Sequence, residues 1–193
     1  MRGIEPPPRL ARRPRDTRGY VIPWNVLIGV GGAPIFTCND ERKHWTALTF
    51  ELCPLCGEAN GREMWFVGGP RSAFDPDGWY IDLPSHQECA EFALQTCPYL
   101  AAPRYEGRID LPDPSKVAGH AVFIDETLIP ERPSLFVAVA CTRIEFKREG
   151  PRLPYVRPVK PWLGIQYWRH GERLSDAEGE RLVQSILHPE VTK

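Results

Sequence analysis

In Leu52-Cys53-Pro54-Leu55-Cys56-Gly57-Glu58 two thiols sit three positions apart in a tight turn, and in Ser85-His86-Gln87-Glu88-Cys89 an imidazole and a thiol repeat that interval. Zinc takes four ligands in a tetrahedron, thiolate sulfur at about 2.3 Å and imidazole nitrogen at about 2.0 Å. Cys53 and Cys56 offer two of them from one turn, and Gly57 lets the backbone reach positive φ so that amides face the sulfurs and offset their charge. His86 and Cys89, three apart at the start of a predicted helix, present both side chains to one side. The helix N-terminus also favours the negative charge of three thiolates. The spacing therefore predicts one structural zinc ion held by Cys53, Cys56, His86 and Cys89. Cys97 is the rival ligand, but eight residues beyond Cys89 on a helix it would lie about 12 Å along the axis. It reads instead as a small buried apolar residue.

Working outward, residues 62–67 and 79–83 read as strands of a hairpin joined by a long Gly/Pro-rich loop at 68–78. Ser85 caps a helix over residues 86–95, which Pro98 ends. Upstream, residues 21–30 read as extended, Gly31-Gly32 as a turn and residues 35–37 as a short strand. Asn39 or Asp40 caps a helix running to Phe50, with Trp45, Leu48 and Leu52 at helical spacing. Downstream, a Pro-rich crossing segment at 102–116 leads to strands at 121–124 and 135–146, and a second Pro-rich link at 151–161 leads to a strand at 163–168. Ser175-Asp176-Ala177-Glu178 is a capping box that opens a final helix ending at Leu187. Trp65, Trp79, Trp162 and Trp168 all fall on or beside predicted strands and read mainly as core.

The succession of knuckle, hairpin and helix donating two ligands from its first turn resembles treble-clef zinc modules over residues 52–97. The run from Pro23-Trp24-Asn25 through the knuckle, Phe66-Val67-Gly68-Gly69-Pro70-Arg71, Asp75-Pro76-Asp77-Gly78-Trp79 and His86-x-x-Cys89 to Cys97-Pro98-Tyr99-Leu100 is similar to uncharacterised proteins of bacteria and their phages. That second resemblance implies zinc binding and supplies no established activity.

A chain of 193 residues with 42% hydrophobic residues is long enough for one domain or two small packed lobes. The pattern predicts an α+β protein in which a treble-clef-like zinc lobe at 19–104 packs on a β-rich C-terminal lobe at 105–193, closed by the terminal helix. Residues 1–18 hold six arginines (Arg2, Arg9, Arg12, Arg13, Arg15 and Arg18) among prolines and only two acids, a composition that reads as a disordered basic arm. No apolar run is long enough to span a bilayer and no secretory leader is visible, which points to a cytoplasmic protein without membrane contact. The six cysteines then read as thiols and metal ligands.

Formal net charge is −1, which excludes the strongly positive field of a dedicated nucleic-acid coat. Four protein ligands close the zinc shell, and a closed shell is structural, whereas a catalytic zinc keeps a position for water. His86-x-Glu88 has the residue types of a zinc deaminase, but the order of the C-x-x-C pair is wrong and Cys89 takes the water's place. An HNH-like nuclease or other zinc hydrolase has only Asp82 and His86 to draw on, and His86 is already a ligand. His44, His120 and His170 have no partner at motif spacing and read as surface or hydrogen-bonded core residues. Non-catalytic binding of a protein partner is the first expectation, with Arg71, Phe74 and Asp75 of the stiff loop as contact residues. Nucleic-acid binding through the arm, with Arg12 and Arg13 on phosphates, is the second. The basic residues Arg143, Lys147, Arg148, Arg152, Arg157 and Lys160 form a further patch, interrupted by Glu145 and Glu149.

Overall fold

The computed structural model describes residues 3–105, 132–148 and 154–189. In chain order its elements are α1 (Pro8–Ala11), β1 (Val26–Ile28), a 3-10 turn (Val30–Gly32), β2 (Pro34–Asn39), α2 (Glu41–Thr49), β3 (Met64–Gly68), α3 (Pro70–Phe74), α4 (Gln87–Thr96) and α5 (Pro98–Ala101). After a 3-10 turn at Pro103–Tyr105 follow β4 (Phe136–Cys141), β5 (Ile144–Lys147), β6 (Tyr155–Pro158), β7 (Gly164–Arg169), β8 (Glu172–Arg173) and α6 (Asp176–Leu187). The predicted strand at 121–124 lies outside the described residues.

The sequence Phe-Val-Ala-Val-Ala-Cys of β4 is apolar at every position, and all six residues are buried. A strand with that composition needs cover on both faces and a neighbour on both edges. β4 has both: it is central in an antiparallel sheet of order β3-β4-β7-β8. Alternation then sorts its side chains. Phe136, Ala138 and Ala140 face Trp65, Trp168 and the α4 residues Ala90 and Leu94. Val137, Val139 and Cys141 face the larger core with Phe66, Tyr80, Leu83, Val156 and Val183, the last from α6. The small side chains of Ala138 and Ala140 leave room for the indoles and for α4. A polar link fixes that helix to the sheet: Gln166 Nε2 donates to Glu91 Oε1 at 2.8 Å, and Trp168 Nε1 donates to Gln166 Oε1 at 3.0 Å.

The fold class is mixed α and β, as the pattern predicts, and two of the three caps read from sequence are present; Ser85 does not cap α4, whose N-cap residue is His86. Asp40 accepts from the amides of Arg42 and Lys43, and Ser175 accepts from that of Glu178. Three expectations are corrected. First, residues 62–67 and 79–83 do not form a ladder with one another. β3 pairs along its length with β4, Phe66 opposite Val139, and among the described residues the hairpin is reduced to the single bridge Trp65–Ser85. The intervening stretch is not a loop: Pro70 starts α3, and Ala73 and Phe74 pack into the core. Second, the sheet joins β3 of the supposed zinc lobe to β4 and β7 of the supposed C-terminal lobe, so the division at 104/105 does not separate two cores. Third, the arm is not disordered in the described residues, for α1 buries Leu10 to 3% exposure. Trp65 and Trp168 are core residues on β3 and β7, whereas Trp79 and Trp162 are half-buried outside the strands.

Candidate metal centre

The knuckle forms because its backbone closes on itself. Gly57 N–H donates to Cys53 O and Cys53 N–H to Glu58 O, each at 2.8 Å, while Glu58 N–H reaches Cys56 Sγ at 3.4 Å. Gly57 has φ +84°, and a Cβ there would lie 2.6 Å from the Trp24 ring, so glycine is required by both conformation and space. Trp24 and Asn25 in turn run alongside the knuckle, their amides donating to Leu55 O and Pro54 O at 2.9 and 3.0 Å. From the other side α4 delivers His86, its N-cap residue, and Cys89 in its first turn.

The four donor atoms of Cys53, Cys56, His86 and Cys89 lie within 4.8 Å of one another, an arrangement that could hold a metal ion. His86 Nδ1 is 3.4 Å from Cys56 Sγ and 3.9 Å from Cys89 Sγ. A tetrahedron built on thiolate and imidazole bonds to zinc has sulfur–nitrogen edges of about 3.5 Å and sulfur–sulfur edges of about 3.8 Å, so the donor set fits such an ion. Cys53 and Cys89 are fully buried and Cys56 nearly so. His86 Nε2 lies 2.9 Å from Ala59 O; donation there fixes the tautomer that leaves Nδ1 free for a ligand.

The same crowding of sulfurs governs the protonation chemistry of the thiols. Cys53 accepts hydrogen bonds from the Cys56 and Cys89 thiols, which hold it down to about 3. The Cys89 thiol, facing those two sulfurs, is pushed far up. Three sulfurs this close share one negative charge readily but not three, unless a cation neutralises them.

Around the site the structure adds residues that the motif does not announce. Leu10 packs on Cys53, Cys56 and Cys89. Arg9 pairs with Glu58 and, through Nε at 3.1 Å, with Glu88 of α4; Arg12 reaches Glu58 at 3.8 Å. Arg13 Nε donates to Ile22 O at 3.2 Å, and burial lowers its guanidinium. The one signal for this in sequence is a leucine set behind Pro8 in an otherwise polar arm.

The remaining expected contact residues are not brought together at this centre. Arg71 is exposed on α3, Phe74 stacks at a tilt on Trp162 with ring centres 5.8 Å apart, and Asp75 caps its own turn by accepting from the Asp77 amide at 3.0 Å. Arg12 and Arg13 bear on the protein's own groups. Glu88 faces Arg9, and Asp82 accepts from Asn39 Nδ2 at 3.2 Å. Cys97 stands at the junction of α4 and α5 and is not in the cluster. His44 is fully buried, and among the described residues neither ring nitrogen is hydrogen-bonded, which corrects the reading of it as a surface or satisfied residue.

Fold and site together define an α+β protein with a Cys3His cluster, its three thiols buried, that could hold a metal ion between a knuckle and a helix N-terminus. No protein-family model, curated protein or solved structure matches the chain. Among the described residues no helix is long and apolar enough to cross a membrane.

Proposed function

We propose that this chain is a non-catalytic binding protein whose fold is held by one structural zinc ion at Cys53, Cys56, His86 and Cys89, in a treble-clef-like setting whose hairpin has shrunk to one bridge. The observation that carries the reading is the closed donor set: four protein atoms within 4.8 Å, three of them sulfur and buried. Three thiolates and an imidazole suit zinc among the common divalent ions. When bound, the ion cross-links the knuckle to α4 and stabilises the fold by an amount on the order of 10 kcal/mol in small zinc modules. With all four tetrahedral positions filled by protein, no position is left for a reacting water. The residues considered for catalysis are engaged elsewhere, Glu88 with Arg9 and Asp82 with Asn39.

Metal analysis by mass spectrometry on the purified chain and on His86→Ala and Cys89→Ala, each with a melting curve, tests this reading. One zinc per chain, lost together with much of the thermal stability in both variants, is the expected result. Zinc retained in His86→Ala with unchanged melting would mean an open site and would overturn the structural assignment.

A further inference from the structure

Most of the described arginines of the arm bear on the protein's own groups. Arg9 and Arg12 pair with Glu58, Arg15 donates to Gly19 O, and Arg18 pairs with Asp16 and lies over Tyr20. Positive charge is also concentrated around the β5–β6 ribbon, where the described residues 143–148 and 154–160 hold five basic residues against one acidic one in a chain of net charge −1. The ribbon pairs Glu145 with Arg157 and Lys147 with Tyr155, so these four side chains share one face. The bridge between Tyr80 and Val156 lays Trp79 beside Arg157 on that face. Both Lys147, at 4.8 Å, and Arg157, at 4.4 Å, lie over the Trp79 ring, and Lys147 also lies over Tyr155 at 5.4 Å. Glu145 pairs with Arg157 and so holds the guanidinium plane in position. Next to the ribbon the motif repeats, with Lys160 over Trp162 at 4.9 Å.

We propose that this face binds single-stranded nucleic acid, phosphates on the cations and bases on the rings and on the Arg157 plane. Cations alone would suit any acidic partner. The half-exposed indoles of Trp79 and Trp162 interleaved with them, with Tyr155 buried beneath, suit a ligand that alternates negative charge with flat π-surfaces, which is an unpaired strand. A duplex hides its base faces and offers this ribbon only phosphates. The inference deepens the binding reading above by naming the partner, and it places the contact away from the arm.

Fluorescence anisotropy on the full chain, with labelled oligo-dT and oligo-rU of about 12 nucleotides and a duplex of equal length, is the test. Phosphate contacts by Lys147, Arg157 and Lys160 predict a fall in affinity of about 20-fold between 50 and 200 mM salt, with a slope reduced by about 0.7 for each cation removed. Lys147→Glu with Lys160→Glu should weaken single-strand binding at least tenfold while zinc content stays unchanged. Trp79→Ala should weaken it with the salt slope preserved. Equal affinity for the duplex or for polyglutamate, or binding that survives the double lysine variant and vanishes on arm deletion, overturns the proposal. Absence of binding by a chain carrying one zinc overturns it and leaves the zinc assignment standing; binding by this face in a chain without zinc does the reverse.

Discussion

His44 lies in the interior of α2 with neither ring nitrogen hydrogen-bonded among the described residues, and burial lowers its pKa below the usual 6.5 against the smaller opposing pull of Asp82. A buried polar atom without a partner costs about 1–3 kcal/mol, so His44→Leu should stabilise the chain by about 1 kcal/mol or more in chemical denaturation. The pH dependence has a definite sign. Because the folded value lies below the unfolded one, the unfolded chain takes up a proton below about pH 6.5 that the folded chain refuses, and stability falls from there downward. Wild type should therefore lose stability between pH 7.5 and 5.5 more steeply than His44→Leu, by at most about 1.4 kcal/mol per pH unit; parallel slopes would show that this histidine does not carry the effect. The contrast with the four clustered donors is instructive. Cys53, Cys56, His86 and Cys89 are legible in sequence because a turn and a helical turn fix their spacing, whereas nothing local marks His44 as buried and unpaired.

Among the elements, α6 shows most clearly how a sequence feature acquires its reason. Gly179 sits inside the helix, where glycine costs about 1 kcal/mol relative to alanine. A Cβ at that position would lie 2.0 Å from the Tyr167 ring. Glycine thus lets α6 settle on β7. Gly179→Ala should destabilise by about 1–3 kcal/mol despite its better helix propensity, and a rise in melting temperature would refute the close approach. For α1 the magnitudes rank two contacts. Its ion pairs are exposed, Arg9 and Glu58 at 41% and 38% of the side chain, and screening by solvent makes such pairs weak. Leu10 is buried, and removing a buried leucine side chain costs about 2–5 kcal/mol. Leu10→Ala should therefore lower stability and metal retention well beyond Arg9→Ala, as read by melting curves with and without a competing chelator. Helix starts were legible from Asp40 and Ser175 because a cap is a contact within a few residues. The partner of β3 was not, because the short-range hairpin with residues 79–83 and the long-range ladder with β4 satisfy the same alternation, and only the burial of β4 on both faces favours the second.

For the whole molecule, the metal centre, the knuckle, α1 and α4 form one packed unit, with Leu10 and the three cysteines at its middle. Removing the metal should therefore loosen more than the ligands: chelator treatment is expected to speed tryptic cleavage after Arg9, Arg12 and Arg15, while sites on the strands respond later. Cleavage rates unchanged by chelation would show that α1 does not depend on the centre. By itself the sequence determined the donor set, the capped helices, the mixed α and β class and the apolar strand that became β4. Each of these follows from chemistry or periodicity within a few residues. Only the tertiary structure decided that β3 joins β4, that the basic arm folds onto the metal centre, that Phe74 turns inward and that the lysines and arginines of the β5–β6 ribbon gather over Trp79. These depend on which apolar surfaces cover one another across long stretches of chain, and burial is a property of the assembled whole rather than of any segment.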